Sequence, residues 1–96
     1  MIEVGMFAHI KCGRYAEYGL LKGDIVYIAG EMMVALSAED PYAYRKLFVA
    51  AYTEDGHVLD KKKPLSIDAV NLRPVSTGKQ KSLYAQFEKD FTKGEG

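Results

Sequence analysis

The chain has no tryptophan, one cysteine, two histidines and three prolines in 96 residues, and no net charge. Each shortage closes off a class of protein. Cys12 alone cannot form an internal disulfide, so the fold rests on packing, in keeping with a reducing compartment. No apolar run approaches the roughly 18 residues that span a bilayer, and the opening MIEVGMFAHI has neither a basic start nor the apolar centre of a secretory signal. The expected location is the cytoplasm. His9 and Cys12 form an H-x-x-C pair, but zinc takes about four ligands and only His57 remains to join them, so no metal is expected. Gly-x-x-x-x-Gly-Lys and Gly-x-Gly-x-x-Gly are both missing, which removes the phosphate-cradle reading and leaves no cofactor expected.

Catalysis fares no better. A Cys12–His9 nucleophile and base would lie on a strand and its adjoining loop, with no third group to orient them. The paired carboxylates Glu39-Asp40 and Glu54-Asp55 fall in turns, where such groups are solvated or bond their own backbone instead of sharing a cleft that separates their pKa values. The chain is expected to be no enzyme.

What is present is an ordinary globular composition, 48% apolar and 27% charged, in a length that holds one core. The charge is unevenly spread. Residues 1–60 carry five Lys/Arg against nine Asp/Glu. Residues 61–81 carry Lys61, Lys62, Lys63, Arg73, Lys79 and Lys81 against Asp68 alone. An acidic half and a basic segment on opposite faces are the expectation.

Periodicity supplies the elements. Ile2, Val4, Met6, Ala8 and Ile10 alternate with Glu3, Gly5, Phe7, His9 and Lys11, which predicts a half-buried strand with Phe7 on the outer face. Residues 12–22 lack a period and read as a long loop ending at Lys22-Gly23-Asp24. Strands are predicted at 25–29, 32–36 and 44–53, the first two joined by a tight connection at Gly30-Glu31. Glu54-Asp55-Gly56 predicts a hairpin turn in which Gly56 takes a positive φ. A polar loop follows, then an extended run at 65–67, one helical turn at 68–71 and a short strand at 72–75. Ser76-Thr77-Gly78 offers a helix cap, and Leu83, Phe87 and Phe91 share one helical face. The expected domain is a barrel over 1–76, a helix over 77–92 packed on it, and a frayed tail at 93–96.

The stretch MFAHIKCGRYAEYGLLKGDIVYI resembles the start of an SH3-type barrel, where a first strand passes through a long loop into a Leu-x-Lys-Gly-Asp-x-Val turn. IDAVNLRPV resembles its end, a one-turn helix feeding the last strand. The resemblance covers about residues 6–75 and implies a mainly β, SH3-like small barrel of five to six short strands with a C-terminal α-helix. It does not extend to the proline-motif ligand of SH3 domains, whose aromatic ridge includes a tryptophan and whose Pro-Ser-Asn-Tyr turn is replaced here by IDAVNL. Related barrels of KOW type bind nucleic acid or ribosomal partners.

Two surfaces stand out. Tyr15, Tyr18, Tyr42 and Tyr44, with Arg14 beside them, lie on two loops that an SH3-like barrel brings to one side. Tyr pairs a rigid apolar body with a polar tip, so this set predicts a protein-binding surface, unless the rings merely cover the core rim. The second is Lys61, Lys62, Lys63, Arg73, Lys79 and Lys81, which predicts nucleic-acid binding if the lysines cluster and a solvated loop if they do not. If the face of Leu83, Phe87 and Phe91 were exposed, a homodimer would follow; if it packs on the barrel, a monomer.

Overall fold

The computed structural model describes residues 1–59 and 64–95, residues 89–95 by backbone alone. Its elements are β1 (Phe7–Ile10), a 3-10 segment (Gly13–Tyr18), β2 (Ile25–Ala35), β3 (Tyr44–Thr53), β4 (Leu65–Asp68), a 3-10 turn (Ala69–Asn71), β5 (Leu72–Pro74) and helix α1 (Thr77–Glu95). The strands pair antiparallel in the order β4-β3-β2-β1-β5. Among the described residues no ladder joins β4 to β5, so the domain is a small, mainly β unit: an open five-stranded sheet with one helix. No helix of the described residues is long and apolar enough to cross a membrane.

The sheet is covered on both faces at one end. Ala8, Ile10, Val26, Ile28, Phe48, Ala50, Leu65, Ile67 and Leu72 form the main core with Leu20 from the loop. Phe7, Ile25 and Val75 form a second cluster with Leu83 of α1, and Tyr27 and Phe87 pack against it. Phe7 is therefore 1% exposed instead of facing solvent, because α1 lies over the face that a simple alternation assigns to water. The strand is also shorter than its alternation. Gly5 takes φ +91°, the Met6 N–H donates to the Glu3 carbonyl at 3.2 Å, and this turn separates residues 2–6 from β1 while Ile2 still packs on the core.

The connection expected at Gly30-Glu31 is absent. β2 runs unbroken through it, and its register with β3 shifts between Tyr27 and Gly30, where Ile28 opposes Ala50 and Ala29 is left out of the ladder. A bulge of this kind lets a long strand bend without ending. The Gly-Glu pair mimics a turn signal, while the pairing that overrides it comes from β3. By contrast β3 has the predicted bounds, and its turn closes with Gly56 at φ +80°.

Short-range devices behave as their residue types require. Gly23 sits at φ +95°, the Leu21 N–H donates to the Asp24 carboxylate at 2.8 Å, and Leu20 enters the core just before this corner. Asp68 accepts from the Val70 N–H at 3.1 Å and starts the 3-10 turn. The expected loop at 12–22 holds a 3-10 segment fixed from afar: Asn71 donates from Nδ2 to the Tyr15 hydroxyl at 3.0 Å and accepts from Cys12 Sγ at 3.6 Å.

Helix α1 is anchored by one amide. The Phe7 N–H donates to Gln80 Oε1 at 2.8 Å, while Gln80 Nε2 donates to the Phe7 carbonyl at 2.7 Å and the Val75 carbonyl at 3.3 Å. Gln80 thus satisfies β1 as a neighbouring strand would. Phe87 stacks on Tyr27 with centroids 4.6 Å apart, and Phe7 meets Tyr84 and Phe87 edge-on. Leu83 and Phe87, two of the three residues weighed for a dimer, are packed within the chain; the side chain of Phe91 lies outside the described residues.

Candidate interaction surface

Beyond the bulge, β2 and β3 leave the covered end and continue as a hairpin arm. Gly30 to Ala35 pair with Val49 to Tyr44 in unbroken register, and the Leu36 N–H donates to the Ala43 carbonyl at 2.9 Å at the tip. Cross-strand partners share a face. Met33 and Lys46, then Ala35 and Tyr44, extend the face that carries Phe48, whereas Met32 and Leu47, then Val34 and Arg45, extend the opposite one. Neither extension is buried: Met33 is 58% exposed, and Met32, Leu36 and Tyr44 are also among the exposed large apolar residues. Two ion pairs flank the arm, Lys46 to Glu31 at 3.4 Å and Arg45 to Asp68 at 3.3 Å. Exposed pairs of this kind contribute about 0–1 kcal/mol, so they orient side chains more than they hold the arm together.

The loop at the tip is organised by its own side chains. Ser37 Oγ accepts from the Glu39 N–H at 3.1 Å, Asp40 Oδ1 accepts from the Tyr42 N–H at 2.9 Å, and the Asp40 carbonyl accepts from the Ala43 N–H. Asp and Ser favour such turns because their short side chains mimic a backbone acceptor. The consequence is a fixed platform for Tyr42, which is 91% exposed.

The predicted tyrosine set divides. Tyr42 and Tyr44 share the arm. Arg14 and Tyr18 are exposed on the 3-10 segment, whereas Tyr15 is half-buried, packed against the main core and bonded to Asn71. No ring contact joins Tyr15 or Tyr18 to Tyr42 or Tyr44; the ring contacts of the described residues lie among Phe7, Tyr27, Tyr52, Tyr84 and Phe87. Tyr84 belongs to that covered group, where burial pushes its phenol above the ordinary 10.0 and the neighbouring Tyr27 adds to the shift.

Of the basic set, Lys61, Lys62 and Lys63 lie outside the described residues. Arg73 on β5 and Lys79 and Lys81 on the first turns of α1 are exposed. The residues weighed for chemistry fall in different places, but His57, Glu54 and Asp55 share one open cavity of about 200 Å³ with Asp24. His9 Nδ1 lies 3.2 Å from the Gly23 carbonyl, Cys12 bonds Asn71, and Glu54, Asp55 and His57 ring the β3 turn. Among the described residues no group of three His, Cys, Asp or Glu side chains is placed to hold a metal ion.

The arm's apolar exposure is the feature that composition and periodicity missed. The available signal was MMVA, an apolar run placed to occupy both faces of a strand whose covering partners are nowhere adjacent in the chain. Comparison with protein-family models, curated proteins and solved structures gives no match to this chain.

Proposed function

We propose that the protein is a small non-catalytic interaction module of SH3-like barrel type that binds a protein partner through its tyrosines. The observation that carries this reading is the tip of the β2–β3 arm, where self-bonded turns present Tyr42 and Tyr44 beside the exposed Leu36. Binding costs less when the contact residues are already fixed, and Tyr offers large area at little rotamer cost. Supporting the barrel type are the long loop between β1 and β2, the 3-10 turn between β4 and β5, and the pairing of β5 with β1. Arg14 and Tyr18, exposed on the 3-10 segment away from the arm, would form a second contact, with Tyr15 beneath them against the core.

The double variant Tyr42→Ala, Tyr44→Ala tests the reading, since both side chains project from the core and their loss leaves the fold intact. Partner recovery in affinity capture from cells producing the protein should fall at least tenfold relative to the unaltered chain. Equal recovery by the folded double variant would overturn the assignment. A second reading, nucleic-acid binding through Lys61, Lys62, Lys63, Arg73, Lys79 and Lys81, is favoured by the exposure of the last three on consecutive elements. Neutralising about four phosphates would give a log–log salt slope near −3 to −4 on a duplex.

A further inference from the structure

The outer edge of β2 along the arm has no strand beside it. β1 pairs with β2 only through Tyr27, and the last bonds from that side are the Gly5 N–H to the Ile28 carbonyl at 2.7 Å and the Ile28 N–H to the Met6 carbonyl at 2.9 Å. Beyond Ile28, no described residue bonds the outward groups of β2. Which residues these are follows from the ladder. Leu36 bonds inward to Ala43, and backbone direction alternates along an antiparallel strand. Val34, Met32 and Gly30 therefore face β3, and Glu31, Met33 and Ala35 turn their N–H and C=O groups outward.

A row of unpaired strand groups is chemically specific, because only another extended backbone matches its spacing. Natural edges of this length are guarded by proline, lysine or a bulge. This one has no proline or lysine between Gly30 and Ala35, its one charge, Glu31, is paired with Lys46 of β3, and its bulge lies behind it. The outward set is also self-complementary. Two copies of β2 run antiparallel about a two-fold axis at Met33 pair Met33 with Met33 and Glu31 with Ala35, each pair exchanging both hydrogen bonds. No like charges meet across the strands. A two-fold axis at Met32 would pair only Glu31 with Met33 and leave Ala35 opposite the bulged Ala29, so the axis at Met33 is the one that engages all three outward residues.

We propose that the occupant of this edge is a second copy of the chain, and that the protein forms a two-fold dimer through residues 31–35 of β2, joining two open sheets into one. The dimer goes beyond the protein-partner reading and does not need it. It would set two Tyr42 platforms on one continuous sheet.

Cross-linking of the purified chain tests the register. In a hydrogen-bonded antiparallel pair the Cα atoms are about 5.5 Å apart, within the roughly 4.4–6.8 Å that a disulfide bridges. In a Cys12→Ser background, Met33→Cys should oxidise mostly to a covalent dimer, and Met32→Cys, on the other face and off the axis, should not. Sedimentation of the unaltered chain should show mass rising toward twice 10.7 kDa between micromolar and millimolar concentration. Met33→Glu, which puts like charges across the axis, should return it to monomer with its circular dichroism unchanged. A monomer throughout the range, or a dimer that neither Met33 variant affects, would overturn the proposal. Neither result depends on whether the Tyr42 and Tyr44 variant captures its partner.

Discussion

Strand β2 has two ends of nearly equal hydrophobicity and opposite fates. IVYI, residues 25–28, has Ile25, Val26 and Ile28 buried, while MMVA, residues 32–35, is exposed or half-buried throughout. The strand and its neighbour β3 are common to both. The difference is cover: α1 and the β1–β5 edge lie against the first end, whereas the second has only the Ser66 hydroxyl, which donates to Met32 Sδ at 3.3 Å. Burial here is a property of what packs on a residue, and the run of uncovered apolar side chains on the arm is what the proposed contacts would use.

The largest effect that would break this comparison is at Phe7 and Met33. Phe7 touches Tyr27, Tyr84 and Phe87 and sits under the helix, so Phe7→Ala removes the centre of the second cluster and should cost about 3–5 kcal/mol. Met33→Ala on the bare end should stay within about 0.5 kcal/mol in dilute monomer. Urea melts of the two variants measure both. Equal losses would mean that the arm is packed as well as the covered end.

A smaller effect sharpens the role of the cover. Gln80→Ala leaves the Phe7 N–H without its side-chain acceptor, and stranding a partly buried donor costs about 1–3 kcal/mol. The loss should appear with faster amide exchange at Phe7, while exchange along the arm stays as it was. If the arm responds equally, the two ends unfold as one unit and the contrast between them is only one of exposure.

These contrasts also show what could be read from the chain. The corner at Gly23-Asp24, the turn at Gly56, the 3-10 turn started by Asp68 and the bounds of β3 depend on residues within a few positions of each other, and all were legible. The outer-face placement of Phe7 failed because its cover begins seventy residues later, at Thr77. Gly30 failed for a related reason: its turn signal is local, and the β3 pairing that overrules it is not. Tyr15 read as a surface ring because Asn71, which holds its hydroxyl, is remote in sequence. Tyr42 and Tyr44 could be singled out from the sequence, but the arm that carries them and its free edge could not, since a side-chain pattern carries no record of which backbone groups point outward.

The smallest effect expected concerns Tyr84, the covered ring whose phenol is pushed upward by burial and by Tyr27. Raising a folded-state pKa means that the native chain holds this proton more tightly than the unfolded one does. The resulting contribution is fully present below the unfolded value near 10 and is lost as pH rises through the folded value. Tyr84→Phe removes the titration and keeps the ring. Urea midpoints of the two proteins should therefore keep a constant difference from neutral pH to about 9, then change on the alkaline side, with the unaltered chain falling more steeply. Because Tyr84 is 38% exposed, water screens the group and the divergence should be slight. Parallel curves through the alkaline range would show that the helix leaves this phenol as wet as an uncovered one, and would place Tyr84 on the bare side of the molecule.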